Sequence, residues 1–145
     1  MTPTDHAIPG YPHVEVVPTR WNDNDVYGHV NNVVHYLAMD TVINAWLIAN
    51  TGLDIERGAT IGLCVESGCR YLAPITYPDA MLVGLRVGRL GTSSVRWEVA
   101  IDRASDGARV AEGSFVHVFV DRGSRRPTGL AEPFRAALRT LAAPT

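Results

Sequence analysis

Between His29 and Asn50 the chain carries an apolar run that the rest of the fold must cover. Val30, Val33, Leu37, Thr41, Ala45 and Ile48 recur at spacings of three and four, the period of a helix face. Met39, Val42, Ile43, Trp46 and Leu47 make the other side apolar as well, and Asp40 is the single formal charge. A helix apolar nearly all round is expected to be buried, with that lone carboxylate needing a partner. A membrane span is not expected, because Asn31, Asn32, His35, Asp40 and Asn44 interrupt the run too often. Gly52 reads as the C-terminal cap.

The covering element is a sheet. After Gly62 the hydrophobic period changes to two, and strands are expected at about 61–73, 80–90, 93–104 and 108–121. The third is the clearest: Val95, Trp97, Val99 and Ile101 alternate with Arg96, Glu98, Ala100 and Asp102. Gly91 and Ser105-Asp106-Gly107 mark turns, and Val110 to Val120, apolar on both faces, belongs inside the sheet. His13 to Trp21 reads as a fifth strand, with Pro18 placing it at an edge or a bulge. Glu132-Pro133 opens a short helix with Phe134, Leu138 and Leu141 inward and Arg135 and Arg139 outward. This order implies an α+β fold: a curved antiparallel five-stranded sheet wrapped around one long buried helix. Residues 1–12, rich in Pro and Gly, form a loose lead-in, and residues 13–145 form a single domain.

Composition narrows the function. The formal charge of −2 argues against a nucleic-acid module, which would be basic. All 13 basic residues are arginine, so Schiff-base chemistry on lysine and a P-loop are excluded. Cys64 and Cys69, five apart on one strand, are expected on opposite faces, unable to bridge and without zinc-ligand spacing. Two buried thiols would suit a reducing cytoplasm. Met1 to Gly10 has no apolar core, so no signal peptide is expected.

The chemistry concentrates in Trp21-Asn22-Asp23-Asn24-Asp25-Val26-Tyr27-Gly28-His29-Val30-Asn31-Asn32. Two carboxylates sit in a tight turn that opens at Gly28 and runs into the helix. A helix start leaves backbone N–H groups unpaired and carries partial positive charge. A carboxylate beside it makes a catalytic pair, in which one group attacks or activates water and the other takes up negative charge on a carbonyl oxygen.

The run Asp25-Val26-Tyr27-Gly28-His29-Val30-Asn31-Asn32 resembles the signature of hotdog-fold acyl-CoA thioesterases of the 4-hydroxybenzoyl-CoA thioesterase type. Tyr71 to Pro74, Tyr77-Pro78-Asp79, Gly91-Thr92-Ser93-Ser94, and Phe119-Val120-Asp121 leading to Arg126-Pro127 are similar to the later strands of that family. The resemblance spans about residues 13–140. It implies a hotdog domain, with Asp25 as the catalytic carboxylate and a helix-start backbone N–H at Asn32 polarising the thioester carbonyl. It further implies a homodimer or homotetramer with acyl-CoA bound at the subunit interface. Some members use a helix Glu instead, and Asp40 is the nearest equivalent here.

The remaining candidates keep two readings each. His29 is either a general base or a residue that fixes the turn, and Asp23 shapes the turn. Asn31 and Asn32 side chains satisfy backbone groups, next to Gly28 and Tyr27 at the substrate. Asp25 is either the catalytic carboxylate or a simple helix cap, Asp40 either a structural hydrogen-bonding residue or a second catalytic carboxylate, and Glu66 either a solvated strand residue or a site-lining one. Tyr27 and Trp46 line an acyl pocket or belong to the core. Arg122, Arg125 and Arg126, and more weakly Arg89, either clamp CoA phosphates or lie in solvent. No Gly-x-Ser-x-Gly elbow occurs, and the expected reaction needs neither metal nor organic cofactor. A hydratase or dehydratase using His29 or Asp40, and a non-catalytic acyl-binding module, are the alternatives to acyl-CoA hydrolysis.

Overall fold

The computed structural model describes residues 6–143. Five antiparallel strands, β1 (His13–Pro18), β2 (Thr60–Tyr71), β3 (Ala80–Leu90), β4 (Ser94–Arg103) and β5 (Arg109–Asp121), form one sheet in the order β1-β3-β4-β5-β2. The long helix α1 (Asn32–Thr51) lies across its inner face, and a short helix, α2 (Phe134–Arg139), closes one end. The expected elements are all present. The first strand stops at Pro18 and gives way to a 3-10 turn at Trp21–Asp23, and the helix starts three residues later than its pattern.

Two residues set the ends of α1. The Asn31 side chain accepts the Val33 N–H at 3.1 Å as the N-terminal cap, and Gly52 takes the left-handed conformation after the last turn, φ 73°. Met39, Val42, Ile43, Trp46 and Leu47 form the face against the sheet, each at most 5 % exposed. They meet Val95, Trp97, Val99 and Ile101, the inward residues of β4. Trp97 anchors this contact: its ring stands edge-on to Trp46 at 6.0 Å, and its indole N–H donates to His117 Nδ1 at 3.1 Å.

Complete burial of α1 is not what the fold delivers. Val33, Leu37 and Ile48 are 63 %, 57 % and 48 % exposed, and Asp40 is exposed beside them with Asn44 donating to its carboxylate. The reason is geometric: one sheet covers one side of a helix. The neighbouring edge strand β2 is also open, with Leu63 and Val65 in solvent.

A β-bulge between Cys64 and Glu66 corrects the cysteine reading. Cys64 pairs opposite His117 and Cys69 opposite Gly113, two β5 residues four apart, so the extra residue puts both thiols on one face. They are free, and Cys64 is exposed rather than buried. Residues 1–5 of the expected lead-in lie outside the described residues. The part after them is docked: Ile8 is buried and Tyr11 packs on Gly84, where a Cβ would come within 2.9 Å of the Tyr11 side chain. Arg86 lies over the Tyr11 ring at 4.4 Å.

Candidate active site at the start of the long helix

The segment from Asp23 to Asn31 is latched at several points. Asp23, buried, accepts from the Arg20 backbone N–H and from two guanidinium nitrogens of Arg20, at 2.8–3.0 Å. Its carbonyl accepts the Asn31 N–H at 2.8 Å, which ties the turn to the helix start. Asp23 is therefore a shaping residue, as its position suggests. A second seam joins the turn to the segment after β2. Val30 N–H donates to Ile75 O at 2.8 Å, the Thr76 hydroxyl to Gly28 O at 3.2 Å, and Tyr77 N–H to Asn24 Oδ1 at 3.1 Å.

Within that frame Asp25 organises its own loop. Its N–H donates to His29 O at 2.9 Å, its carbonyl accepts the Gly28 N–H at 3.1 Å, and its Oδ1 accepts the Tyr27 N–H at 2.8 Å. Gly28 has φ 83°, which an L side chain adopts only with strain. The carboxylate is half-buried and lines an open cleft of about 450 Å³ with His29, Asn32, His35, Tyr71 and the Leu72–Ile75 segment. Asn32 is the first helical residue, and its backbone N–H has no partner among the described residues. The His29 ring, exposed, forms no hydrogen bond among the described residues, whereas its carbonyl closes the turn.

The structure therefore brings together Asp25, His29 and Asn32, with Gly28 and Asn31 shaping their backbone. It leaves other candidates apart. Tyr27 is 84 % exposed and does not line the cleft. Trp46 is core. Asp40 lies on the open face of α1, Glu66 is exposed on β2, and Arg89 is exposed near the end of the otherwise largely buried β3. Arg122 donates to the carbonyls of Gly58 and Ile55, at 2.6 and 2.7 Å, just past the far end of α1. Arg125 and Arg126 are exposed in the same loop, so the arginines and Asp25 sit at opposite ends of a helix roughly 30 Å long. No group of three or more ligating side chains suited to a metal occurs among the described residues.

Two cleft residues escape the sequence reading. His35, 4 % exposed, makes a 3.3 Å contact from its Nδ1 to Asn31 O and stands edge-on to Tyr71 at 5.1 Å. The Tyr71 hydroxyl donates to Asn32 O at 3.0 Å, and burial pushes its pKa up to about 12, so it stays a donor. A polar residue one turn after the cap was the available signal for His35. The pairing of Tyr71 with a carbonyl 39 residues away had none.

Burial also lowers the pKa of His35 and of His117, against the pull of the Asn31 and Asn32 carbonyls on the first and of Asp40 on the second. Both imidazoles therefore resist protonation to lower pH in the fold than in the unfolded chain, which takes up protons near pH 6.5. Stability should be full above about pH 6.5 and fall as the pH drops below it toward the folded-state pKa values. The melting temperature at about pH 5.5 is expected below that at about pH 7.5, and an increase would contradict neutral burial.

The sequence profile of the thioesterase-like superfamily matches residues 19–138. The fold is shared with the PA5185 protein of Pseudomonas aeruginosa strain PAO1, at 48 % identity and a TM-score of 0.88 over 92 % of this chain and 94 % of that one. It is also shared with a Thermus thermophilus thioesterase crystallised with coenzyme A and Zn, at 32 % identity and 0.77 over 92 % and 97 %. A 1,4-dihydroxy-2-naphthoyl-CoA thioesterase from Synechocystis, 19 % identical, matches in fold with a TM-score of 0.80 over 90 % and 98 %. Among curated proteins none matches the chain. With its profile match across most of the chain and its sheet wrapped over a single long helix, the chain belongs to the thioesterase-like superfamily, the hotdog-fold family of thioester hydrolases.

Proposed function

We propose that this protein hydrolyses acyl-CoA thioesters to a free acid and CoA at the start of α1. One observation carries the reading: the Asp25 carboxylate and the residue bearing an unpartnered helix-start N–H, Asn32, line one cleft. Asp25 acts as nucleophile, forming a mixed anhydride that water then opens, or as the base that takes a proton from the attacking water. In either route the carbonyl oxygen gains negative charge, the Asn32 N–H donates to it, and the sulfur leaves as the CoA thiolate, which takes up a proton. The coenzyme A in the 32 % identical Thermus relative supports CoA as the carrier.

The site belongs to a homo-oligomer, a dimer or a tetramer. Support comes from the open stripe of α1, the edge of β2 with Leu63 and Val65, unpaired among the described residues, and the distance from Asp25 to the arginine loop. A second copy is needed for Arg125 and Arg126 to meet CoA phosphates at an Asp25 site. Arg122, held by two carbonyls, anchors that loop. Replacing Arg125 and Arg126 with Ala should raise KM several-fold and leave kcat nearly unchanged, the mark of lost uniform binding. A pair of variants with wild-type KM would move the clamp elsewhere. The unpaired cysteines support a cytoplasmic setting, and no helix among the described residues is long and apolar enough to cross a membrane.

A second reading, an acyl-thioester hydratase or dehydratase, draws on the unbonded His29 ring beside Asp25. Asp40 does not line that cleft. Mass spectrometry of products from a panel of aliphatic and aromatic acyl-CoAs separates the readings. Free acid with CoA is the expected outcome; a hydrated or dehydrated acyl-CoA, or substrate bound unchanged, would replace hydrolysis by the alternative or by an acyl-binding module.

A further inference from the structure

The peptide unit that joins Asn31 to Asn32 is gripped from behind. Its carbonyl accepts the Val34 N–H at 2.9 Å and is approached by His35 Nδ1 at 3.3 Å. Its N–H, on the other side of the same planar unit, is the one without a partner among the described residues. A trans peptide is rigid and carries C=O and N–H in opposite directions, so whatever orients the carbonyl orients the N–H. The Val34 bond is the kind any helix start makes. The His35 contact is particular to this chain.

Other observations place His35 in a fixed assembly. A carbonyl can only accept, so Nδ1 carries the hydrogen. The ring is 4 % exposed and is held edge-on by Tyr71, whose own hydroxyl donates to the next carbonyl, Asn32 O. Two successive carbonyls of the first helical turn are thus each held by a side chain, and the two side chains pack on each other. A hydrogen bond accepted at a peptide carbonyl also strengthens the same unit's N–H as a donor.

We propose that His35 is a positioning residue which, through the Asn31 carbonyl, aims and polarises the Asn32 N–H for the substrate carbonyl. What the N–H does there rests on the thioesterase reading; the grip itself is a property of the fold.

Two variants test it. His35→Leu removes the donor and keeps apolar bulk against Tyr71. His35→Asn should restore the bond, because asparagines of the same helix already reach carbonyls four residues back: Asn44 Nδ2 to Asp40 O at 2.9 Å and Asn50 Nδ2 to Trp46 O at 3.0 Å. The first readout is the Asn32 amide resonance in ¹⁵N-labelled protein, which senses a bond accepted by the preceding carbonyl. The second is kcat and KM with the acyl-CoA that wild type turns over fastest. His35→Leu is expected to shift the Asn32 amide and to lower kcat by about tenfold, less than outright loss of an oxyanion donor, with KM within about threefold. His35→Asn should bring both back toward wild type. An Asn32 amide unmoved by Leu, or an Asn variant as slow as the Leu one, overturns the proposal. If the Leu variant does not fold, the Asn variant decides, since a displaced amide with collapsed kcat would reject it. Should wild type release no thiol from any acyl-CoA, the thioesterase reading fails, and the Asn32 amide still decides whether His35 holds the peptide.

Discussion

Asp25→Asn should fold and bind acyl-CoA, yet turn over about a hundredfold more slowly or worse, the loss expected when a general base is removed. The substitution is nearly isosteric, and an amide oxygen still accepts the Tyr27 N–H that Asp25 Oδ1 takes at 2.8 Å. The loop geometry around Gly28 and His29 rests on backbone bonds the change does not touch. An amide, however, neither takes a proton from water at neutral pH nor forms an anhydride. Asp23→Asn is the control, because it removes the same charge from the same turn. Asp23 spends its carboxylate on Arg20, so its loss should appear as a lower melting temperature with far less effect on kcat. Equal slowing in both would mean a general electrostatic effect. Near-normal kcat in a folded Asp25→Asn protein would move the search to Asp40 and Glu66.

Leu37→Arg should convert an active oligomer into an inactive monomer. Leu37 lies midway along the open stripe of α1 between Val33 and Asp40, more than half exposed, and away from the cleft. An arginine there is solvated in a lone chain and costs little fold stability. Pressed into an apolar contact between copies it would be a buried charge without a partner, which costs several kcal/mol, on the order of 3–5. Light scattering is expected to give a multiple of 15.8 kDa for wild type and 15.8 kDa for the variant, with turnover lost in parallel. A fully active monomer of either protein would show that one chain holds a complete site.

The layout was legible because hydrophobic period is a local property. The switch from three-four spacing in α1 to alternation in β4 reveals the order and type of the elements. What stayed hidden depends on neighbours distant in sequence. The apolar stripe Val33, Leu37, Ile48 and the core stripe Met39, Val42, Ile43, Trp46 read alike, and only the one-sided sheet tells them apart. The bulge at β2 shifts the parity of the cysteines without altering the alternation that identifies the strand. At the site, the turn from Asp25 to Asn32 announces itself by composition. His35 and Tyr71 do not, since their roles arise only when the end of β2 is laid against the first turn of α1.

The most direct measurement is the rate at which wild-type protein frees CoA thiol from an acyl-CoA, followed with a thiol reagent beside Asp25→Asn at equal concentration. Wild type is expected to release thiol catalytically, matched by free acid, at a rate that falls about a hundredfold or more in the variant. Acyl-CoA left intact by wild type, or thiol released equally by both proteins, would contradict a thioesterase that works through Asp25.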